Sequence, residues 1–168
     1  MKSTKTLNNI YFIVASVAII VLQMTVLQLI RIFGVVPNIM LIWLVICAVI
    51  FSRQTSFKVA LLSGFLSDVL FGKGIGVHIA IYVVVVVVIA SLEEKIFKDN
   101  YITPVILLIM ATAYYHLVFL IVHYFSTGSF VLFPRLFTIV LPEMLYNLCV
   151  GVALYVLAFR IAEGYQMR

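Results

Sequence analysis

Long uninterrupted apolar runs, separated by short segments that hold most of the charge, set the pattern of this chain. A lipid-exposed backbone has to satisfy its own hydrogen bonds, so such runs read as membrane helices or as barrel strands. Barrel strands would show stretches of about ten residues in which apolar and polar positions alternate. Here the runs are continuous, and the helical reading wins. Val83 to Val88, followed by Ile89, is a β-branched stretch that would favour a strand in water. In lipid the backbone requirement overrides that propensity.

The runs 10–30, 34–51, 57–71, 77–92, 101–125 and 136–159 predict six transmembrane helices. Together they make one polytopic domain covering 1–168, an all-α integral membrane bundle. Lys2 and Lys5 precede the first run, as in a signal peptide. A signal h-region is only ~7–15 residues long, shorter than this run, and no small-residue cleavage site follows here, so a retained first helix is expected. Pro37 falls near the start of the second run, where proline is tolerated. At 1.5 Å per residue the third and fourth runs reach only ~22–24 Å, short of the ~30 Å hydrocarbon core. Both are expected to be short, joined tightly through Gly72 to Gly76, and packed inside the bundle. Asn100 is the expected N-cap of the fifth helix, and Pro142 interrupts the sixth. The loops leave no room for a folded extramembrane domain.

Composition narrows the class further. Hydrophobic residues make up 65 % of the 168 residues and charged residues only 10 %, against roughly 25 % charged in soluble proteins. That excludes a soluble enzyme, a nucleic-acid-binding domain and a disordered linker. The net charge of +5 is therefore a matter of topology and lipid headgroups rather than of nucleic acid. With six spans both termini share one side. Lys2, Lys5, Arg53, Lys58, Lys95, Lys98, Arg160 and Arg168 then lie on that side, and Arg31, Lys73 and Arg135 on the other, which accounts for all 11 basic residues. The excess marks the termini as cytoplasmic. Cys47 and Cys149 both sit in apolar runs and read as small side chains buried in the membrane.

No catalytic constellation stands out. There is no HExxH helix and no GxSxG elbow. Gly74-Ile75-Gly76-Val77 lacks the Asp of a GxGD intramembrane protease, and Gly72, Gly74 and Gly76 miss the GxGxxG spacing. His116 and His123 are seven apart with no carboxylate near them in sequence. They and His78 read as aromatic-like residues at helix interfaces or near the headgroups. No catalytic, cofactor-binding or metal-ligating set is expected.

Two acids remain inside the runs, Asp68 and Glu143. An intramembrane acid costs roughly 2.5–3.5 kcal/mol at a helix centre, so it carries a functional hypothesis by default. Asp68 lies about one turn from its helix end, where a structural pairing competes with a ligand or ion role. Ala60, Gly64, Asp68 and Gly72 recur every four residues on one face, and small residues at that spacing allow close helix approach. In the sixth run Pro142 removes a backbone donor, while Glu143 and Asn147, at i and i+4, face one neighbour. That kink reads either as a substrate or partner site or as self-satisfaction around the proline.

Pro37-Asn38, then Gly64-Phe65-Leu66-Ser67-Asp68 running into Gly72-Lys73-Gly74-Ile75-Gly76, then Pro142-Glu143 with Tyr146-Asn147, in that order and spacing, resemble the rod shape-determining protein MreD family. The resemblance covers essentially the whole chain. It implies a non-enzymatic component of the bacterial cell-elongation machinery in the cytoplasmic membrane, without cofactor. It also implies partners: the bitopic protein MreC and, through it, the actin-like MreB, the glycosyltransferase RodA and a class B penicillin-binding protein. Homo-oligomerisation is left open. The site residues it carries are structural or partner-binding: Pro37, Asn38, Gly64, Asp68, Gly72, Gly76, Pro142, Glu143 and Asn147. The family also looks similar in fold to the six-helix substrate-binding subunits of energy-coupling-factor vitamin transporters, which supplies the alternative function. Those subunits carry an AxxxA pattern on the first helix, and here Ala15 and Ala18 are three apart. A small ion or proton channel would rest on Asp68 and Glu143 alone.

Overall fold

The computed structural model describes residues 14–32, 34–71, 76–96, 102–129 and 132–166. All regular structure among them is helical. Helix α1 runs over residues 14–24 and breaks at Thr25, whose hydroxyl donates to the Val21 carbonyl at 2.6 Å. A 3-10 turn, Val26–Ile30, follows. The chain then reverses through an isolated bridge between Ile32 and Val35, with Gly34 at φ +78, a conformation that only glycine adopts without strain.

Helix α2 is Ile39–Ile50, only 12 residues long. The sequence pattern placed a helix over 34–51, but Pro37 lies before the helix and Asn38 is its N-cap. At ~18 Å this helix is too short to cross the hydrocarbon core alone. Its faces are apolar almost all round, and Met40, Leu41, Ile42, Leu44 and Val45 are fully buried. A helix of that kind belongs at the centre of a bundle. It packs against α3, α4, α5 and α6.

Helices α3, Arg53–Phe71, and α4, Val77–Ile96, have 19 and 20 residues. The apolar runs had predicted two short helices at 57–71 and 77–92; polar residues at their outer ends extend both. Arg53, Gln54 and Thr55 continue the helix after Ser52, whose hydroxyl accepts from the Thr55 N–H at 3.4 Å. At ~28–30 Å each of these helices is long enough to cross the core.

Helix α5 is Ile102–Thr127, and Gly128 ends it at φ +67 with its N–H on the Tyr124 carbonyl at 2.8 Å, a left-handed helix stop. The expected cap Asn100 lies outside the described residues, as do residues 10–13 of the first run and the turn residues Gly72, Lys73 and Gly74. Helix α6 begins as one α-turn, Leu132–Arg135, widens to π pitch over Leu136–Val140, and continues over Leu141–Gln166. The expected interruption at Pro142 takes the form of this widened turn. Pro142 has no N–H to return to the preceding turn, and the Leu141 N–H reaches back to Leu136.

Two helical stretches, Ile102–Thr127 and Phe133–Ala158, are each apolar and long enough to cross a membrane, and the apolar stretches Val14–Ile30, Ile39–Ile50 and Val77–Leu92 are shorter. Large apolar side chains such as Leu29, Phe125, Phe133, Phe137 and Leu145 are strongly exposed. In water these would be liabilities; in lipid they face their solvent.

Candidate functional site

Asp68 sits near the end of α3 and faces the start of α4. Its carboxylate accepts from the N–H groups of Gly76 at 2.8 Å, His78 at 2.9 Å and Ile79 at 3.3 Å. The His78 ring nitrogen Nδ1 lies 2.9 Å from the same carboxylate. The first N–H groups of a helix have no partner within it, and lipid offers none. A carboxylate supplies acceptors and the charge that the positive helix end attracts. Gly76 has φ +103, which aims its N–H back at Asp68. The His78 ring in turn stacks among Phe119, Phe71 and Tyr82, with centroids 5.2 to 5.7 Å away.

The stripe that ends in Asp68 brings α3 close to α4. Ala60 is fully buried, and a Cβ built on Gly64 would stand 2.5 Å from the Ile79 Cα. Gly72, the last member of the stripe, lies outside the described residues.

A second polar cluster starts α2. The Asn38 side chain accepts from the Leu41 N–H at 3.1 Å, and the Gln23 amide oxygen accepts from the Met40 N–H at 3.0 Å. Asn38's own N–H donates to Asn147 Oδ1 at 2.7 Å. Asn147 Nδ2 then donates to Thr112 Oγ1 at 3.1 Å. Pro37 fixes the extended approach to this cap. One buried cluster thus joins α1, α2, α5 and α6 and satisfies three N–H groups at the start of a helix that water does not reach. Tyr146, next to Asn147, donates its hydroxyl to the Ile30 carbonyl at 3.1 Å.

Glu143, one turn before Asn147, is set apart from both clusters. Its Oε2 lies 3.2 Å from His116 Nε2, with both side chains largely buried, but His116 Nε2 is placed off any hydrogen-bond axis. This pair lines a cavity of about 620 Å³ between α5 and α6, with Arg135 and His123 also in its walls. Pro142 is half-buried next to Glu143 and follows the widened turn, of which Leu136, Ile139 and Val140 form part of the same wall.

The structure therefore brings Pro37, Asn38 and Asn147 together, brings Gly64, Asp68 and Gly76 together at another junction, and leaves Glu143 at the cavity with Pro142 next to it in the chain. Sequence reasoning missed both acid–histidine pairs. His78 was legible in principle: it stands two residues after a glycine turn whose other arm carries an acid one turn back. The His116–Glu143 pair joins residues 27 positions apart and gave no local signal.

A membrane protein results whose described regular structure is all helical, with buried polar side chains that hold the starts of α2 and α4 and an acid at one cavity. The family model for the rod shape-determining protein MreD matches residues 4–163, nearly the whole chain, and the chain belongs to that family. Its role lies in rod-shape determination, within the MreB/MreC system. No curated protein and no solved structure matches the chain.

Proposed function

We propose that the chain is a non-enzymatic scaffold of the bacterial cell-elongation machinery, a single polytopic domain with six spans and both termini cytoplasmic. It binds MreC and so helps couple MreB to the lateral peptidoglycan synthesis carried out by RodA and a class B penicillin-binding protein. The observation that carries this reading is what the buried polar side chains do. Asn38, Gln23 and Asp68 accept from the first N–H groups of α2 and α4, and Asn147 ties α2 to α6. Such groups fix the relative position of helices, which a scaffold requires. Pro37, Asn38, Gly64, Asp68, Gly76 and Asn147 act structurally in this reading, and Glu143 with Pro142 is left for a partner.

Helix association in lipid relies on close packing and a few hydrogen bonds. Binding of a bitopic partner is then spread over apolar helix surface of the kind that α5 and α6 expose. Depletion in a rod-shaped host is expected to give rounded cells, and MreC is expected to co-purify with the chain in mild detergent. Normal rods together with loss of vitamin uptake would instead point to a transporter subunit, an alternative that the comparisons do not support.

A further inference from the structure

The two intramembrane acids are satisfied to very different degrees. Asp68 accepts from three backbone N–H groups and stands against an imidazole; nothing is left for it to bind. Glu143 is 8 % exposed, and its one polar partner among the described residues is His116, at 3.2 Å and off the hydrogen-bond axis. A carboxylate withdrawn from water and so thinly partnered is costly. It also lines a cavity rather than a packed interface.

That cavity lies between α5 and α6, which among the described residues are the helices long and apolar enough to cross a membrane. Its walls are mostly apolar, including Leu117, Phe119, Ile139 and Met144. The π turn over Leu136–Val140 forms one wall, and such turns recur at functional sites. Arg135 lies eight residues before Glu143, ~12 Å along the axis, and makes no ion pair among the described residues. At that distance Arg135 belongs to the headgroup level, where a cation needs no protein partner. Glu143 has no such outlet.

We infer that the α5–α6 cavity is the seat of one transmembrane helix of a partner protein, which inserts a hydrogen-bond donor side chain opposite Glu143. The inference rests on the scaffold reading above. A lipid chain would fill the apolar walls but leave Glu143 as underpartnered as before. A helix bearing Ser, Thr, Asn, Gln or a basic residue within its apolar stretch fills the walls and completes the carboxylate. The complementarity of charge and hydrogen bonding therefore selects a helix over a lipid.

The test places a photoreactive benzoylphenylalanine at Leu117, which is exposed at the cavity, or at Val84, exposed on α4. The full chain is expressed in a rod-shaped host alongside its MreC. Illumination is expected to cross-link Leu117 to the MreC transmembrane segment and to leave Val84 unlinked. Glu143→Leu should lower the yield of a cross-link from Ile139 about three- to tenfold, the range of one interhelical hydrogen bond. Leu117→Trp, which fills the cavity without touching Glu143, should lower it at normal membrane abundance and so guards against misfolding. MreC that co-purifies but cross-links from Val84 alone overturns the cavity assignment and leaves the scaffold reading standing. A Leu117 adduct with lipid or with a second copy of the chain overturns the partner-helix assignment. Failure of MreC to co-purify at all overturns both.

Discussion

The backbone N–H of Asn38 donates to the side chain of Asn147, 109 positions later in the chain, at 2.7 Å. This contact lets α2 begin among other helices, where no water can take its first donor. Asn147→Leu keeps the volume but leaves both the Asn38 N–H and the Thr112 hydroxyl without their partner. An unsatisfied buried donor costs on the order of 1–3 kcal/mol. Thr112→Val removes one hydrogen bond and spares the start of α2, so it should cost less. Thermal unfolding in detergent ranks the two variants. Equal loss would show that α2 does not depend on Asn147.

At the other junction, Asp68→Leu removes every acceptor for the N–H groups of Gly76, His78 and Ile79. Asp68→Asn keeps one carbonyl oxygen and should retain part of the stability. Gly76→Val forces a β-branched residue to φ +103 and should be as harmful as the leucine variant. Membrane abundance and cell shape separate this from an ion-carrying role. An asparagine variant that is abundant but leaves cells round would defeat the capping account.

How far the sequence could be read is clearest at these two residues. Asp68 and its glycine turn are ten positions or fewer apart, so stripe and turn together gave away a local junction. Asn38 was visible only as part of Pro37-Asn38, and its partner Asn147 only as part of Pro142-Glu143; nothing local linked them. Helix ends were misjudged for a different reason. Apolarity marks where lipid contacts a helix, not where its hydrogen bonding stops, so α3 and α4 extend into polar residues. The short α2 was overestimated because apolar residues from Gly34 to Val36 lie in the extended lead to the cap rather than in helix.

Gly64 and Gly151 offer a paired prediction on helix packing. An added Cβ at Gly64 meets the Ile79 Cα at 2.5 Å, whereas at Gly151 it meets the Leu108 Cδ1 at 2.5 Å. Backbone cannot step aside, but the far end of a leucine turns to another rotamer. Gly64→Ala should therefore cost about 1–3 kcal/mol through overpacking and Gly151→Ala clearly less. Melting temperatures in detergent decide this, and a reversed order would mean that α3 and α4 are further apart than described.

If the missing N–H of Pro142 causes the π turn, Pro142→Ala should let Leu136–Val140 relax to α pitch. Closing that turn moves Ile139 and Val140 against α5 and narrows the cavity. Slower amide exchange over 136–142 is the expected signature, since an α-turn there would protect more N–H groups. Unchanged exchange would assign the π turn to packing instead.

The topology can be tested on the α3–α4 hairpin alone. Gly64 stands against Ile79 and Asp68 against Gly76, so the two helices run antiparallel with the glycine turn at one end. With 19 and 20 residues each reaches ~28–30 Å, about the thickness of the hydrocarbon core. In sequence Lys73 falls between α3 and α4, while Arg53 and Lys95 lie at the far ends of the two helices. On the proposed topology, which rests on the excess of basic residues, that open end is cytoplasmic. A membrane-impermeant thiol reagent applied to intact spheroplasts should label Lys73→Cys, and should reach Lys95→Cys only after the membrane is broken. Exposed Cys149 is first replaced by Ser. Labelling of both positions from the same side would mean that the hairpin dips into the bilayer without crossing it, and six spans would no longer hold.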